Sequence, residues 1–480
     1  MTIDKPPLVV DLDGTLTPTD TLVESVVKVV KQSPFNLIKL ALLLPKGKAA
    51  FKRFVAANSG ISPETLPYRE ELLEYLRSEK EAGRRLVLAT ASHETVATCV
   101  ADHLGIFDDV IATDSTNLKG KNKLAAIRAA IGEKFVYAGD SAVDIEIWQS
   151  ASAAVLVNVS TSTARAVRKI IPVEAEFSRG PVGLLTWAKT LRVHQWLKNL
   201  LIFVPLVTAF SFLNVEKLLT ATIAFLAFSV TASATYVAND LWDLESDRVH
   251  PRKKSRPLAS AEVSIVSALI VAVLCLLIGL AVAWTVSWQF FSMLVLYLLV
   301  TTSYSWILKQ YVLIDVILLS LLFTLRIVSG AVAVEITLSK WLLAFSVFLF
   351  LSLALVKRCA ELLSLGQSGG EATSGRDYRV GDLTVLWPLG VGAAMSSIVV
   401  FGLFISSPET AARYATPVAL WLVALGLVYW LSRLWIKTAR GEMHDDPVVY
   451  AIKDKGSRVV AILMAAAMLA AHYLEFSDFP

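Results

Sequence analysis

The feature that most constrains this chain is a series of nine apolar stretches of 15–24 residues, which begins at Leu197 and ends at Leu474. A helix of roughly 20 apolar residues crosses the hydrocarbon core of a bilayer. We therefore predict a membrane-embedded, all-α bundle with nine spans. These spans are Leu197–Leu213, Leu218–Ala238, Val263–Val286, Phe290–Ile307, Val312–Val334, Trp341–Val356, Val385–Ile405, Thr416–Trp435 and Val459–Leu474.

The charged residues are distributed unevenly. Residues 1–190 carry 45 of them, about 24%, whereas residues 191–480 carry 41, about 14%. Soluble domains contain roughly 25%. We therefore predict a soluble domain over 1–160, a linker with an amphipathic approach to the membrane over 161–190, and a transmembrane domain over 191–480. The net charge of +4 does not indicate a nucleic-acid partner, and the three cysteines form no C-x-x-C pair that would indicate zinc.

The first chemical motif follows a short apolar strand, Leu8–Val10, and reads Asp-Leu-Asp-Gly-Thr. In an extended chain, Asp11 and Asp13 point the same way, out of the edge of the sheet where α/β proteins place ligands. One carboxylate can attack phosphorus while the other donates a proton to the leaving oxygen. The motif therefore indicates a phosphate-ester site.

Three further pieces follow in order. A strand, Arg85–Ala89, ends at Thr90 with Ser92 beyond it, and a helix begins near Lys121 and Lys123. A third strand, Phe135–Ala138, ends in Gly-Asp-Ser-Ala-Val-Asp, which contains Asp140 and Asp144. A hydroxyl, a lysine and two further acids after successive strands reinforce the prediction of a phosphate-ester site.

These four motifs resemble those of the haloacid dehalogenase superfamily of phosphotransferases. The resemblance implies a Rossmann-like α/β domain with a small helical cap over residues 18–78. It also implies Asp11 as nucleophile, Asp13 as general acid and base, Thr90 or Ser92 as the phosphoryl-binding hydroxyl, and Lys123 or Lys121 as the phosphoryl-neutralising lysine. We prefer Thr90 and Lys123. Asp11, Asp13, Asp140 and Asp144 would form the Mg²⁺ site.

Residues Val26–Pro45 are apolar but interrupted by lysines and a proline. The segment is too broken to span a bilayer. Two interpretations stay open: a buried helical hairpin of the soluble domain, or a segment that lies on an anionic membrane surface.

A second acidic motif ends the second predicted span. Asp240, Asp243 and Asp247 are spaced to lie on one face of a helix, with Asn239 adjacent. Carboxylates at membrane depth usually mark function, and a row of them suits Mg²⁺-bound pyrophosphate. The cations that follow are able to hold phosphate oxygens; they are Arg252, Lys253, Lys254 and Arg256.

This motif resembles the N-D-x-x-D-x-x-x-D hallmark of the UbiA superfamily of membrane prenyltransferases, over about residues 185–475. The segments Asn239–Pro257 and Arg192–Asn199 look like the branch that transfers phosphoribose from phosphoribosyl pyrophosphate to a polyprenyl phosphate. Prenyl-transferring members carry a second D-x-x-x-D, but here only Asp315 is present, with Lys309 and Tyr304 nearby. This departure favours a second phosphorylated substrate over a neutral aromatic acceptor.

The resemblance implies a Mg²⁺-dependent transferase that releases pyrophosphate. From the fusion of the two domains we further expect a bifunctional enzyme, in which the N-terminal domain removes the 5-phosphate to give polyprenylphosphoryl ribose. Alternatives are a prenyltransferase acting on an aromatic acceptor, and a transporter or lipid-binding scaffold with a regulatory phosphatase. Arg326 either faces a site or pairs with another helix residue such as Glu335. With Asn239 and Arg326, the remaining candidate substrate-binding residues are Lys198, Tyr304, Lys309, Asp315, Lys357 and Arg358.

The distribution of Lys and Arg predicts the orientation. With a cytosolic N-terminus, the inner connections contain sixteen Lys and Arg residues and the outer ones three, as the positive-inside rule requires. We therefore expect an integral protein of the bacterial plasma membrane, with both active sites cytoplasmic and Pro480 outside. The oligomeric state is left open, with a homo-oligomer as one alternative.

Overall fold

The computed structural model describes residues 5–475, except 34, 44, 46, 115–117, 179, 181, 374 and 444–445. The chain divides into two compact units. Residues 1–192 and 236–272 form the first unit, and residues 193–235 and 273–480 form the second. Pro480, predicted to lie outside the membrane, falls outside the described residues.

The first unit is built on a six-stranded parallel sheet with the strand order β3-β2-β1-β4-β5-β6. This is the order of a Rossmann-type doubly wound sheet, and it confirms the predicted α/β fold. The strands are β1 (Leu8–Val10), β2 (Leu86–His93), β3 (Asp109–Thr113), β4 (Val136–Gly139), β5 (Ala153–Val157) and β6 (Val173–Phe177).

Both faces of the sheet are covered. Leu8 and Val10 pack into a core on one face, whereas Val9 packs into a second core on the other. Successive strand residues point to opposite faces, so a parallel strand that is buried on both sides reads as a continuous apolar run. This is why three consecutive apolar residues were sufficient to predict β1.

Nine helices of the described chain precede residue 192. They are α1 (Thr21–Gln32), α2 (Asn36–Leu43), α3 (Lys48–Ser59), α4 (Glu70–Glu81), α5 (Glu94–Leu104), α6 (Lys121–Ile131), α7 (Ile145–Trp148), α8 (Thr161–Arg168) and α9 (Leu184–Thr190). Helices occupy most of the predicted cap, 18–78. However, Leu72 and Leu76 of α4 pack into the same core as Leu8, so α4 belongs to the sheet domain and α1–α3 form the cap.

The predicted linker, 161–190, begins too early. It contains α8 and β6, and β6 pairs in parallel with β5 from Ala154 to Val157. Alternating Glu residues make β6 less apolar than the central strands, as suits a strand at the edge of a sheet. The sheet therefore continues to Phe177.

The rest of the chain is helical. The helices are α10 (Val204–Thr208), α11 (Val215–Trp242), α12 (Leu244–Val249), α13 (Ile265–Val286), α14 (Trp288–Trp306), α15 (Ile314–Ala333), α16 (Lys340–Gln367), α17 (Leu383–Ile405), α18 (Pro408–Ala411), α19 (Leu420–Ala439), α20 (Pro447–Lys453) and α21 (Lys455–Tyr473). Seven helices of the described chain are long and apolar enough to cross a membrane, and they contain α11, α13, α15, α16, α17, α19 and α21.

The count of nine spans is not confirmed. The first predicted span, Leu197–Leu213, forms 3₁₀ turns over Val193–Phe203 followed by the short α10. Pro205 lacks a backbone N–H, and Phe210 adopts a positive φ of 51°, so no continuous helix forms there. The fourth span is the 19-residue helix α14, whose Gln, Ser and Thr residues lower its mean hydropathy.

Candidate active sites

The first candidate site lies at the carboxyl end of β1. Asp11 follows the strand, and its Oδ1 accepts a hydrogen bond from the N–H of Leu12 at 2.7 Å. Gly14 has a φ of +77°, and a Cβ there would lie 2.2 Å from Oδ2 of Asp140. Only glycine satisfies both conditions, so Gly14 lets the end of β1 approach the end of β4.

Lys123, in the first turn of α6, is buried and reaches Asp11. Its Nζ lies 2.7 Å from Oδ2 of Asp11 and donates to the hydroxyl of Tyr137 at 2.9 Å. Lys121 is exposed, so Lys123 is the lysine that faces the carboxylates. Tyr137 is a contributor that the sequence analysis missed: its hydroxyl lies 3.2 Å from Oδ1 of Asp144 and 3.4 Å from Oδ2 of Asp11.

Three carboxylates converge beside this lysine. Asp11, Asp140 and Asp144 each offer one oxygen, and these oxygens lie within 4.8 Å of one another. Burial and the neighbouring Asp144 and Asp11 carboxylates raise the pKa of Asp140 to about 7. Burial, and then the charge of Asp11, also raises the pKa of Asp144. Clustered carboxylates with raised pKa values suit a divalent cation, because its charge stabilises their ionised forms.

Asp13 points away from that group. Its Oδ1 accepts from the N–H of Thr21 at 2.7 Å, and its Oδ2 accepts from the hydroxyl of Ser92 at 2.5 Å. Burial, followed by the charge of Asp20, raises the pKa of Asp13 to about 6. A carboxyl group with such a pKa can both give and take a proton near neutral pH. Its predicted role as a metal ligand is not supported, since it is absent from the cluster formed by the other acids.

The two candidate hydroxyls have different partners. The Oγ1 of Thr90 accepts a hydrogen bond from the N–H of Ser92 at 3.0 Å, whereas the hydroxyl of Ser92 contacts Asp13. Both are buried. Which of them would bind phosphoryl oxygens therefore stays a prediction.

The cap of this site also contacts α12, the short helix that carries the end of the second acidic motif. Glu24 of α1 accepts from both terminal nitrogens of Arg248, at 2.5 and 3.1 Å. Arg248 also donates to the carbonyl oxygens of Thr65 and Ala259. A second pair joins Lys28 of α1 to Glu245 of α12 at 2.7 Å. Both pairs lie within the first unit.

The second acidic motif is helical, with one interruption. α11 ends at Trp242, and Asp243 lies between it and α12 with φ −94° and ψ 11°. Asp240 and Asp247 are buried, while Asn239 is half-buried. The single continuous helical face expected for Asp240, Asp243 and Asp247 is therefore interrupted at Asp243.

Arginines link the acids of this motif. Arg256 contacts Oδ1 of Asp240 at 3.1 Å and also contacts Asp247. Arg192, another residue that the sequence analysis missed, pairs with Asp240 through its Nη2 and Nε. Among the described residues, Asp240, Asp243 and Asp247 do not form a convergent group of three carboxylate oxygens.

One atom of the motif does suit a cation. Oδ1 of Asp247 is buried and has no hydrogen-bond donor among the described residues, with Nζ of Lys253 at 3.7 Å. A buried carboxylate oxygen without a partner is costly, and a cation would satisfy it. Of the other cations predicted here, Arg252 and Lys254 are exposed.

In the second unit, two predicted cations share one carboxylate. Nζ of Lys198 lies 2.7 Å from Oδ2 of Asp446, and Nζ of Lys357 lies 3.9 Å from the same atom. Asp446 also caps α20, because its Oδ1 accepts from the N–H of Val448. The sequence analysis did not select Asp446, since it follows a polar turn far from any recognised motif.

Arg326 is buried inside α15. Its Nε donates to Oδ1 of Asn199 at 2.9 Å, and its guanidinium lies 5.1 Å from the ring centroid of Tyr297. This is the polar environment that an intramembrane arginine needs. The partner of Arg326 on another element is therefore Asn199, and not Glu335, which the sequence offered as one alternative.

Asp315 and Arg358 pair with each other. The Oδ2 of Asp315 lies 2.5 Å from Nη2 of Arg358, and neither side chain is exposed. Arg358 also pairs with Glu361, and the hydroxyl of Tyr378 donates to Asp315. Their predicted role in binding substrate is therefore corrected: in this arrangement both are enclosed by protein. Tyr304 and Lys309 are half-buried at and just after the end of α14.

An apolar cavity of ≈ 290 Å³ lies in the second unit. Its walls include Trp341 and Phe345 of α16, Phe401 of α17 and Met464 of α21, and Arg413 is its charged lining residue. Such a lining suits an apolar chain.

The seven long apolar helices of the described residues define an integral membrane protein, and its two groups of acidic residues are candidate sites for phosphate groups and Mg²⁺. Residues 200–453, more than half of the chain, match the UbiA prenyltransferase family, and residues 8–148 match the haloacid dehalogenase-like hydrolases. The chain belongs to the UbiA prenyltransferase family and carries a haloacid dehalogenase-like domain at its N-terminus.

Similar proteins cover different shares of this chain. The Sinorhizobium fredii protein y4nM is 38% identical over 97% of this chain and 91% of its own length. The decaprenyl-phosphate phosphoribosyltransferase of Mycobacterium tuberculosis is 33% identical over 45% of this chain and 72% of its own length. A UbiA homologue from Archaeoglobus fulgidus, solved with GPP and Mg²⁺, covers 60% of this chain and 99% of its own, at 15% identity and a TM-score of 0.47.

Proposed function

We propose that the membrane domain transfers 5-phosphoribose from phosphoribosyl pyrophosphate to a polyprenyl phosphate, and that the N-terminal domain then removes the 5-phosphate. The observation that carries the proposal is the 33% identity of this chain to the decaprenyl-phosphate phosphoribosyltransferase of Mycobacterium tuberculosis, over 72% of that protein's length. The fused hydrolase domain supplies the second step.

In the first step, an oxygen of the lipid phosphate attacks the anomeric carbon of the ribose, and the bond from that carbon to pyrophosphate breaks. Asp240, Asp243 and Asp247 would hold Mg²⁺ with the pyrophosphate, and Arg256 would contact its oxygens. Lys198, Lys309 and Arg326 would attract the lipid phosphate. The nucleophile is already anionic, so no general base is required.

In the second step, Asp11 attacks phosphorus and Asp13 protonates the departing 5-oxygen of the ribose. This first half of the reaction gives polyprenylphosphoryl ribose and a phosphoaspartate at Asp11. Asp13 then takes a proton from the water that hydrolyses the phosphoaspartate, which releases inorganic phosphate. The raised pKa of Asp13 supports both roles. When bound, Mg²⁺ supplies charge neutralisation to the phosphate groups in both domains.

The active sites would be cytoplasmic, in a bacterial plasma membrane, where phosphoribosyl pyrophosphate is accessible. The apolar cavity supports the binding of an isoprenoid chain because its lining is almost entirely hydrocarbon. Asp315 is paired with Arg358, and the residue four positions later is Leu319, so the second D-x-x-x-D of prenyl-transferring members is not present at this place. This favours a phosphorylated acceptor over prenyl transfer to an aromatic acid.

The test uses the full chain in lipid with Mg²⁺, labelled phosphoribosyl pyrophosphate and polyprenyl phosphate. The wild type should give labelled polyprenylphosphoryl ribose, Asp243→Asn no lipid product, and Asp11→Asn a lipid product that keeps its 5-phosphate. Asp102→Asn, at an exposed position of α5, should behave as wild type. A wild-type protein that labels no lipid, but prenylates an aromatic acid, would overturn the proposal.

A further inference from the structure

The helix α2 of the cap leaves a broad apolar face uncovered. Ile38 is 61% exposed and Leu42 is 68% exposed, and Phe35, just before the helix, is 75% exposed. Leu40 is the residue of α2 that is buried, and it packs against Val29 and Val55. α2 therefore packs against α1 and α3 through the side of the helix that carries Leu40.

The exposed apolar residues form one continuous surface. At 100° per residue, Leu37, Ile38 and Leu42 follow one another around the helix over an arc of about 140°, with Ile38 and Leu42 on the side opposite Leu40. Leu37 is also exposed. We call this surface, with Phe35, the α2 face. A buried hairpin, one of the two interpretations that the sequence left open, would have covered it.

The charge around the α2 face has one sign. Residues 25–63 contain seven Lys and Arg residues and no Asp or Glu. Lys39 and Arg53 are exposed, while Lys28 is engaged by Glu245. An apolar helix face with a basic surround is complementary to an anionic lipid surface, where hydrocarbon burial and electrostatic attraction act together.

We propose that the α2 face inserts into the interfacial region of an anionic bilayer, with Phe35, Leu37, Ile38 and Leu42 toward the acyl chains and Lys39 and Arg53 at the phosphates. α2 has eight residues, far fewer than the roughly 20 needed to span, so it lies in the surface. The chain is an integral membrane protein, so a bilayer is always within reach of this domain.

This docking has a consequence for the hydrolase site, which rests on the proposed function. α1 of the same cap begins at Thr21, whose N–H donates to Asp13. A cap anchored in lipid would hold the entrance of the site at the bilayer surface, where a lipid-linked phosphate ester is found. Soluble phosphate esters need no such anchor.

The test measures depth, not turnover, so its outcome is independent of the proposed function. In full-length protein carrying Cys99→Ser, a nitroxide is attached at Leu42→Cys, or at Ala129→Cys on the exposed side of α6 as control. In nanodiscs that contain anionic phosphatidylglycerol, the label at 42 should collide with oxygen and be shielded several-fold from a water-soluble nickel complex relative to the label at 129. Equal nickel accessibility at both positions would overturn the proposal.

Two further measurements separate lipid from protein as the occupant. Reversal of charge in Lys39→Glu with Arg53→Glu should raise the nickel accessibility at position 42 in anionic nanodiscs. Far-ultraviolet circular dichroism would verify that this variant is folded. Shielding that is unaffected by the charge reversal, or that depends on protein concentration in detergent without lipid, would instead indicate a second copy of the chain and overturn the proposal.

Discussion

The carboxylate of Glu24, in the first turn of α1, lies 2.5 Å from Nη2 of Arg248. Arg248 directly follows Asp247, the last aspartate of the second acidic motif. Each side chain is 7% exposed. The same Glu24 carboxylate accepts from the hydroxyl of Thr19 at 2.7 Å. A buried ion pair therefore joins the haloacid dehalogenase-like segment, which carries Glu24, to the UbiA segment, which carries Arg248.

Reversing one charge of this pair should destabilise the protein, and reversing both should restore it. Glu24→Arg or Arg248→Glu alone places two like charges in a buried site, at a cost on the order of 3–5 kcal/mol. The double variant regains the attraction. Thermal unfolding of the full chain in detergent measures this, and additive effects of the two substitutions would contradict the prediction.

The raised pKa of Asp13 predicts how stability depends on pH. Its folded-state pKa of about 6 lies above its ordinary value of 3.8. The protonated carboxyl is thus favoured by folding, and its contribution is complete below about pH 4 and lost as pH rises through 6. In EDTA at pH 8, Asp13→Asn should therefore unfold at a higher temperature than wild type, by the equivalent of about 3 kcal/mol. The difference should vanish near pH 4, and Asp102→Asn should show neither effect.

Removing the hydroxyl of Tyr137 should slow phosphate-ester hydrolysis while the fold persists. Tyr137→Phe deletes the group that lies between Lys123, Asp11 and Asp144, and we expect a loss of roughly tenfold in kcat. Tyr75→Phe, whose hydroxyl contacts Glu174 on the protein surface, is the matched control. Equal rates for the two variants with a soluble phosphate ester would show that Tyr137 only fills the core.

Removing Arg256 should have opposite effects on metal binding and on transfer. Arg256 neutralises Asp240 and Asp247, so Arg256→Gln should let the substrate-free acids bind Mn²⁺ more tightly. Phosphoribosyl transfer should nevertheless fall by roughly 100-fold, because a phosphate-binding cation is lost. Electron paramagnetic resonance titration, in an Asp11→Asn background, measures the first effect. Weaker Mn²⁺ binding, or the same change in Arg440→Gln, would contradict the prediction.

The sequence was sufficient for parts of the site whose geometry is local. Asp11 and Asp140 each follow an apolar strand, and β1 and β4 are parallel neighbours, so their ends must meet. Lys123 was preferred over Lys121 from the sequence, but its burial and its contact with Asp11 depend on how α6 packs, which only the structure shows.

Other parts depended on contacts that no local pattern encodes. Tyr137 reads as a core strand residue, and Arg192 precedes its partner Asp240 by 48 residues. Asp315 and Arg358 both resembled substrate ligands, but they neutralise each other across α15 and α16. A charge at membrane depth marks function or a buried pair, and only tertiary packing decides between them.

The segment 236–272, which contains the end of α11, α12 and the start of α13, folds into the same compact unit as the hydrolase domain. The N-terminal domain therefore does more than share a chain with the membrane domain. A membrane domain produced without residues 1–190 would lack Glu24, and the guanidinium of Arg248 would be exposed. A chimera that takes residues 1–190 from a relative should be as stable as its parents only when the residues at the positions of Glu24 and Arg248 come from the same parent.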